Sequence, residues 1–179
     1  MIPPGTIMRG LRSTAMRILL LPLLALTACA ADTPAPPGAG PSLDPLAFFS
    51  GPSHGVGTIS IMFKATQPLH VTSIGRPDGH GGIILEQTVL QGGEAPKQRH
   101  WNLRPTSTTS FGGTLSDASG PVSGSVSGNT LNLAFAMKGG LSATQTLALQ
   151  PGGRVLLNHM LVKKFGFTVA TIEERITKD

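Results

Sequence analysis

Several kinds of residue that would narrow the function are scarce in this chain. Cys29 is the single cysteine, which excludes an internal disulfide and any cysteine-rich zinc site. Aromatic residues make up only 4% of the chain and tyrosine is absent, which favours small side chains inside, although glycine can equally serve tight curvature. No dinucleotide-binding loop or histidine pair with metal-ligand spacing occurs. The sequence therefore predicts no catalytic residue, no cofactor and no metal site.

The charge of the chain is too small and too scattered to predict a nucleic-acid partner. The formal net charge is +5, from fourteen basic and nine acidic residues. Three of the basic residues, Arg9, Arg12 and Arg17, lie in the N-terminal segment discussed next, and without them eleven basic and nine acidic residues leave +2. Lys163 and Lys164 are the only adjacent basic pair beyond that segment, so no stripe that could follow a phosphate backbone is present.

Residues 1–28 have the pattern of a secretory signal. Positive charges precede the apolar run Ile18–Leu26, and small residues follow it. The run contains Pro22 and is too short for a membrane-crossing helix, which needs about 20 apolar residues. The tetrapeptide Leu26-Thr27-Ala28-Cys29 resembles the bacterial lipobox, in which the cysteine receives a diacylglyceryl group before cleavage. We therefore expect a lipoprotein that is anchored through acylated Cys29, with Met8 as an alternative start.

The residues after Cys29 predict where and how the protein is held. Ala30 follows the cysteine in place of aspartate, which by resemblance to the enterobacterial sorting rule favours the outer membrane, facing the periplasm. Residues 29–45 are rich in proline, glycine and alanine and predict an extended tether. Polyproline geometry spans about 3.1 Å per residue, so this tether could hold a domain tens of ångströms from the bilayer.

Residues 46–179 predict an all-β domain. Short runs of alternating apolar and polar residues are separated by glycine-rich turns, as in Thr130–Met137, where Leu131, Leu133, Phe135 and Met137 share one face. An open sheet of eight to ten strands would leave two long edges exposed. We therefore expect an antiparallel up-and-down barrel, with a β-sandwich as the alternative. Ten strands are predicted: 57–63, 69–74, 82–90, 98–104, 110–115, 122–126, 130–137, 142–149, 154–163 and 167–176.

A set of short motifs runs through this domain in a fixed order. They are Phe48-Phe49-Ser50-Gly51, Glu86, Arg99-His100-Trp101, Phe111-Gly112-Gly113, Asp117, Gly120, Gly128-Asn129, Leu157-Asn158 and Lys164-Phe165-Gly166-Phe167. These motifs resemble those of the bacterial lipoproteins grouped as domain of unknown function 3833. The resemblance covers the chain from Leu46 to its end and implies a lipocalin-like barrel with no assigned activity, often in a gene neighbourhood that suggests fatty-acid modification. The acidic, tryptophan-containing stretch that the family has before its Leu-Asn segment is absent here.

Three side chains form the first candidate ligand-binding site. If strands 82–90 and 98–104 form a hairpin with Glu86 opposite Trp101, then Glu86, Arg99 and Trp101 share one face. Inside a barrel, Arg99 could pair with the carboxylate of an amphipathic ligand while Trp101 supplies apolar surface. The alternatives are an internal Glu86–Arg99 ion pair that only fixes the hairpin, or an exposed cross-strand pair.

His159 is the second candidate, because it alternates with Val155, Leu157 and Leu161 on an apolar face. A hydrogen-bonded core or rim histidine is the alternative interpretation. Three functions follow from these patterns: an envelope lipoprotein whose barrel binds a small apolar or amphipathic ligand such as a fatty acid, a structural lipoprotein that binds a protein partner and no small ligand, and, third, an enzyme. The sequence does not identify the ligand or the protein partner.

Overall fold

The computed structural model describes residues 40–179. The predicted signal, Cys29 and most of the tether lie outside these residues. The described part is a closed antiparallel barrel of ten strands, preceded by one short helix. The predicted all-β barrel is therefore confirmed in preference to the sandwich.

All ten predicted strands are present, with their ends moved by a few residues. The first strand is longer than predicted and begins at Gly51. Leu43, which the sequence assigned to the tether, is buried against the barrel. The elements are α1 (Pro45–Phe49), β1 (Gly51–Ile61), β2 (Gln67–Pro77), β3 (Ile83–Gln91), β4 (Lys97–Pro105), β5 (Ser110–Leu115), β6 (Ala118–Ser127), β7 (Thr130–Met137), β8 (Leu141–Leu149), β9 (Val155–Lys164) and β10 (Phe167–Lys178).

Each strand pairs with its neighbour in sequence, and the first strand closes the barrel by pairing with the last. The β1–β10 register runs from Ser53 opposite Lys178 to Ile61 opposite Ala170. Side chains alternate between the interior and the outer wall, so the apolar face of β7 points inward. Because the sheet closes on itself, no long strand edge is left unpaired among these ten strands.

The helix α1 closes one end of the barrel. Asp44 caps its N-terminus, accepting hydrogen bonds from the backbone N–H groups of Leu46 and Ala47 at 2.9 and 3.1 Å, and Pro45 starts the helix. Phe48 and Phe49 are buried and contact each other edge to face. Lys178 fixes the helix to β10, because its Nζ donates to the carbonyl oxygens of Ala47, Phe48 and Ser50 at 3.0, 2.8 and 2.6 Å.

Gly75 lies where α1 comes closest to the wall. A Cβ at this position would overlap the carbonyl oxygen of Phe49, so β2 needs glycine there. The sequence predicted no helix, and five residues are too few to show helical spacing.

The strands run alternately between two ends of the barrel. The capped end carries α1 and the turns 78–82, 106–109, 128–129 and 150–154, and the distal end carries the turns 62–66, 92–96, 116–117, 138–140 and 165–166. The core extends from Leu43 to Ile176, and every strand pairing lies within the described residues. The ten strands and their core therefore form one compact unit.

Candidate functional site

The interior of the barrel is the candidate site, because polar side chains enter its apolar core from several strands. On β3 and β4, Gln87, Arg99 and Trp101 point inward. The Nε1–H of Trp101 donates to Oε1 of Gln87 at 2.8 Å, and Nε2 of Gln87 donates to Oγ of Ser73 on β2 at 3.0 Å. Trp101 is only 8% exposed, so this chain of hydrogen bonds is shielded from water.

Glu86 does not belong to this group, and its predicted place beside Arg99 and Trp101 is wrong. In the β3–β4 register Leu85 lies opposite Trp101, and Glu86 lies opposite His100. The predicted register differs by one residue, and a slip of one residue moves a side chain to the other face of a sheet. Glu86 is exposed on the outer wall, and Gln87 takes the inward position.

Arg99 is held by a carboxylate from the β5–β6 turn. Its Nε donates to Oδ2 of Asp117 at 2.7 Å, and Lys97 Nζ donates to the same oxygen at 2.8 Å. The Asp117 side chain is 8% exposed. Burial raises the pKa of Asp117, but the hydrogen bonds and charges of Lys97 and Arg99 outweigh it and leave that pKa below its ordinary value. Within the described part of the chain, the two Nη groups of Arg99 have no hydrogen-bond partner and remain available to an acceptor in the cavity.

Glu174 contributes a second carboxyl group from the opposite wall. It accepts a hydrogen bond from Nδ2 of Asn158 at 2.8 Å across the β9–β10 pair. Burial raises the pKa of Glu174, and the hydrogen bond from Asn158 and the charge of Arg99 offset only part of that effect. The carboxyl lies over Gly55 of β1, where a Cβ would overlap it.

Two buried acceptors beside these groups lack partners. Oε1 of Gln145 and Oδ1 of Asn158 have no hydrogen bond to any described residue, although both side chains line the cavity. Gln145 lies opposite Met160, two residues from Asn158, so the two amides are diagonal neighbours on β8 and β9. A buried acceptor without a donor costs about 1–3 kcal/mol, which a hydrogen-bond donor in the cavity would relieve.

The cavity between these groups is narrow and mainly apolar. Its volume is about 60 Å³, and Trp101 and Phe135 meet in its wall edge to face, with ring centroids 5.7 Å apart. Met137 and Met160 also line it, and methionine side chains adjust easily to a change in shape. The apolar lining is formed by Phe49, Leu69, Val71, Ile83, Leu85, Trp101, Leu103, Leu115, Leu131, Leu133, Phe135, Met137, Leu147, Met160, Ile172 and Ile176.

His159 lies outside this cavity. The buried face of β9 is formed by Leu156, Asn158, Met160 and Val162, so His159 and its apolar neighbours point to the outer wall. The His159 side chain is 43% exposed, and its Nδ1 hydrogen-bonds to Glu173 on β10. The predicted apolar face of His159 is therefore the outer face of β9, and His159 has the geometry of a surface pair.

Two kinds of feature are absent from residues 40–179. No group of three or more histidine, cysteine, aspartate or glutamate side chains is arranged to hold a metal ion there. In the same residues, no helix has the length and hydropathy required to cross a membrane.

Four inward polar residues were missed by the sequence prediction, although the pattern around them is informative. Each lies between two apolar residues at positions two before and two after it on its strand, as Glu174 lies between Ile172 and Ile176. A polar residue at that spacing on an apolar face indicates a buried polar group. The four residues are Gln87, Gln145, Asn158 and Glu174.

Comparisons with known proteins support the fold and the family. The family described as "Protein of unknown function (DUF3833)" matches residues 23–178, which confirms the family resemblance seen in the sequence. No curated protein matches the chain. The lipoprotein character stays a prediction.

Two of the solved structures with a similar fold are those of distant proteins. The structure of the S-type phycobiliprotein lyase CPES from Guillardia theta has a TM-score of 0.60 and 7% identity, with 75% of this chain and 90% of that chain covered. A protein of unknown function from the DUF3598 family of Nostoc punctiforme has a TM-score of 0.58 and 12% identity, with 78% of this chain and 50% of that chain covered. At such identities the similarity extends to the fold alone.

Proposed function

The chain belongs to the DUF3833 family, and we propose that this member is a lipid-anchored envelope protein whose barrel binds an amphipathic molecule with an acidic head group, such as a fatty acid. One observation carries this proposal: buried polar groups without partners face an apolar cavity. Proteins leave few buried polar atoms unpaired, so a site with two of them beside apolar surface suits a ligand with both characters.

Arg99 is the residue proposed to bind the head group. Its Nε donates to Asp117, Arg99 lines the cavity, and its Nη groups make no hydrogen bond to another residue among 40–179. A guanidinium with free donors is well suited to a carboxylate. The acceptors of Gln145 and Asn158 would take hydrogen bonds from a hydroxyl group or from water that accompanies the head group.

The apolar tail requires the interior to open. The cavity of about 60 Å³ is well below the roughly 300–1,000 Å³ of ordinary ligand pockets. Met137 and Met160 line the cavity and can change rotamer. One end of the barrel is closed by α1, a helix of five residues. Binding is therefore proposed to include a repacking of these side chains, a movement of α1, or both.

The narrow cavity favours a second candidate function. A barrel filled by its own side chains suits a structural lipoprotein that uses its outer wall to bind a protein partner and takes up no small ligand. The two functions differ in whether the interior ever contains a second molecule.

Extraction of the purified protein separates them. The unacylated form is residues 29–179 with Cys29→Ser, which contains the complete barrel and cannot carry the anchor. Solvent extraction followed by mass spectrometry should recover fatty acid in stoichiometric amount, and a fluorescent fatty acid should bind. If the purified protein contains no fatty acid and does not bind the fluorescent fatty acid, the carrier function is wrong and the structural function remains.

A substitution at Arg99 tests the proposed head-group contact. Arg99→Met should weaken fatty-acid binding by about tenfold or more, because a charge-assisted hydrogen bond is lost. Asp117 keeps Lys97 as a partner in this variant, so folding should survive. Arg104→Met is the matched control, since Arg104 lies on the same strand but is 53% exposed and pairs with Asp78. Equal loss of binding in both variants, or none in either, would contradict the assignment.

The anchor is proposed from the sequence alone, since Cys29 lies outside the described residues. Cells that express the full chain should incorporate radiolabelled palmitate into it, and Cys29→Ser should abolish the label. Separation of the inner and outer membranes should place the labelled protein in the outer membrane. If the Cys29→Ser variant still carries the label, Cys29 is not the acylation site.

A further inference from the structure

Two turns at the distal end expose aromatic rings that contribute nothing to the core. Phe63 in the β1–β2 turn is 99% exposed, and Phe165 and Phe167 at the β9–β10 turn are 86% and 72% exposed. The two turns are neighbours, because β1 pairs with β10 and the N–H of Met62 donates to the carbonyl oxygen of Val169 at 2.9 Å. Met62 itself is 44% exposed. We call Met62, Phe63, Phe165 and Phe167 the aromatic rim.

The backbone of these turns gives a second reason to regard the rings as functional. Phe63 and Phe165 have φ values of +63° and +51°, and they are the non-glycine residues with positive φ among residues 40–179. Turn positions of this kind favour glycine, asparagine or aspartate, and a bulky side chain there is strained. Phenylalanine is thus unfavourable both for the turn backbone and for exposure to water, so folding does not explain its presence.

The charges around the aromatic rim identify the partner. Residues 59–72 and 160–172 contain Lys64, Lys163 and Lys164 and no acidic residue. Lys164 also lies over the ring of Phe165, with its Nζ 5.7 Å from the centroid. The turns and strand ends at the distal end contain five lysines and two acidic residues, Glu94 and Asp117, and Asp117 is already paired.

We propose that the aromatic rim docks the barrel on a bilayer that contains anionic lipid. The rings enter the interface between head groups and acyl chains, where aromatic side chains are favoured, and the lysines contact the anionic head groups. This contact is proposed separately from the ligand, because none of the four rim residues lines the cavity.

Vesicle flotation of the unacylated form tests the proposal. Vesicles of phosphatidylcholine with phosphatidylglycerol should carry the protein to the top of the gradient, and pure phosphatidylcholine vesicles should carry less. Raising the salt concentration should weaken the binding, because exposed charges are screened. If the protein floats with neither kind of vesicle, the proposal is wrong, even if the rim is found to bind another protein.

The decisive variant replaces both strained phenylalanines by a residue that suits the turn. Phe63→Asn with Phe165→Asn should weaken vesicle binding by about a hundredfold, roughly tenfold for each ring removed from the interface. The same variant should unfold at an equal or higher temperature, because asparagine tolerates positive φ. Ile74→Thr with Ile84→Thr is the control, since these residues are 47% and 40% exposed on the outer wall away from the rim. If the control loses as much binding as the test variant, or the test variant loses none, the rim is not the docking surface.

Two further measurements separate the rings from the charges. Lys64→Gln and Lys164→Gln should each weaken binding to anionic vesicles by about fivefold and leave binding to neutral vesicles unchanged. In a Phe165→Trp variant, anionic vesicles should shift the tryptophan emission to shorter wavelength, whereas the buried Trp101 of the unsubstituted form should show no such shift. An unshifted Phe165→Trp spectrum with bound protein would contradict insertion. Because fatty-acid binding of the Phe63→Asn, Phe165→Asn form should be unchanged, failure here and failure of the proposed carrier function are distinguishable.

Discussion

Trp101 and Gln87 are joined inside the barrel by a hydrogen bond of 2.8 Å from the indole Nε1–H to the amide Oε1. The amide of Gln87 also donates a hydrogen bond to Ser73, so this one side chain satisfies polar groups on both β2 and β4. Gln87 thereby lets the only tryptophan present its polar edge to the interior without an unpaired N–H.

Replacing Gln87 should therefore destabilise the barrel. Gln87→Leu leaves the indole N–H and the Ser73 hydroxyl unpaired, and we expect the free energy of unfolding to fall by about 1–3 kcal/mol. Urea unfolding followed by Trp101 fluorescence measures the change. Gln98→Leu is the control, because Gln98 bonds to Thr88 on the exposed wall. Comparable loss in both variants would show that the buried hydrogen bonds add little.

Glu174 should make the protein less stable as the pH rises from acid to neutral. Its pKa is raised in the folded state by burial, so its stabilising contribution is complete below the unfolded pKa of about 4.3 and is lost as the pH rises through the folded pKa. Glu174→Gln should accordingly raise stability at neutral pH, and the gain should shrink below about pH 4. Urea unfolding across this range measures the difference.

The exposed Glu86 supplies the control for Glu174. Glu86→Gln makes the same chemical change on the outer wall and should alter stability by less than about 0.5 kcal/mol at any pH. If Glu174→Gln is equally silent, the Glu174 carboxyl is better solvated than its buried position implies.

Asp117 should show the opposite dependence on pH. Its pKa is lowered in the folded state because the pairing with Lys97 and Arg99 outweighs burial, so its contribution is present above the unfolded pKa of about 3.9 and is lost as the pH falls through the folded pKa. Asp117→Asn should destabilise the barrel at neutral pH, and the two proteins should converge in acid. A constant difference at all pH values would mean that shape, not charge, explains the effect.

Gly75 should control how tightly α1 closes the barrel. Gly75→Ala places a methyl group on the carbonyl oxygen of Phe49, and we expect a loss of about 1–3 kcal/mol from overpacking. Acrylamide should then quench Trp101 more strongly, because the capped end opens. Gly120→Ala meets no atom within 4 Å and should leave both stability and quenching nearly unchanged. Unaltered quenching in Gly75→Ala would show that α1 does not limit access.

The strand pattern was predictable because the alternation of side chains is local. The bounds of β5 and β7 match the predicted 110–115 and 130–137. Turn residues flank both strands, and in β7 apolar residues alternate with small or polar ones. The α1 helix was missed because five residues show no period, although Asp44 followed by Pro45 is a helix-start signal that the sequence contains.

The site was only partly predictable because its register depends on the closed barrel. The inward positions of Arg99 and Trp101 were correct, since alternation along one strand decides them. Glu86 was placed on the wrong face by a register error of one residue. Glu174 and Asn158 line the same cavity as Arg99 but lie on strands that do not neighbour β4. No local pattern indicates which strands face each other across an interior.

The barrel closes only when β1 pairs with β10, so an incomplete set of strands does not form a barrel. β1 lacks one of its two neighbours until β10 pairs with it, so an incompletely folded chain holds a sheet with two unpaired edge strands. Contacts between residues so far apart in the chain form slowly. Copies truncated within β10 consequently expose two unpaired strands to other chains, and a premature stop codon within β10 should give aggregates instead of a smaller barrel.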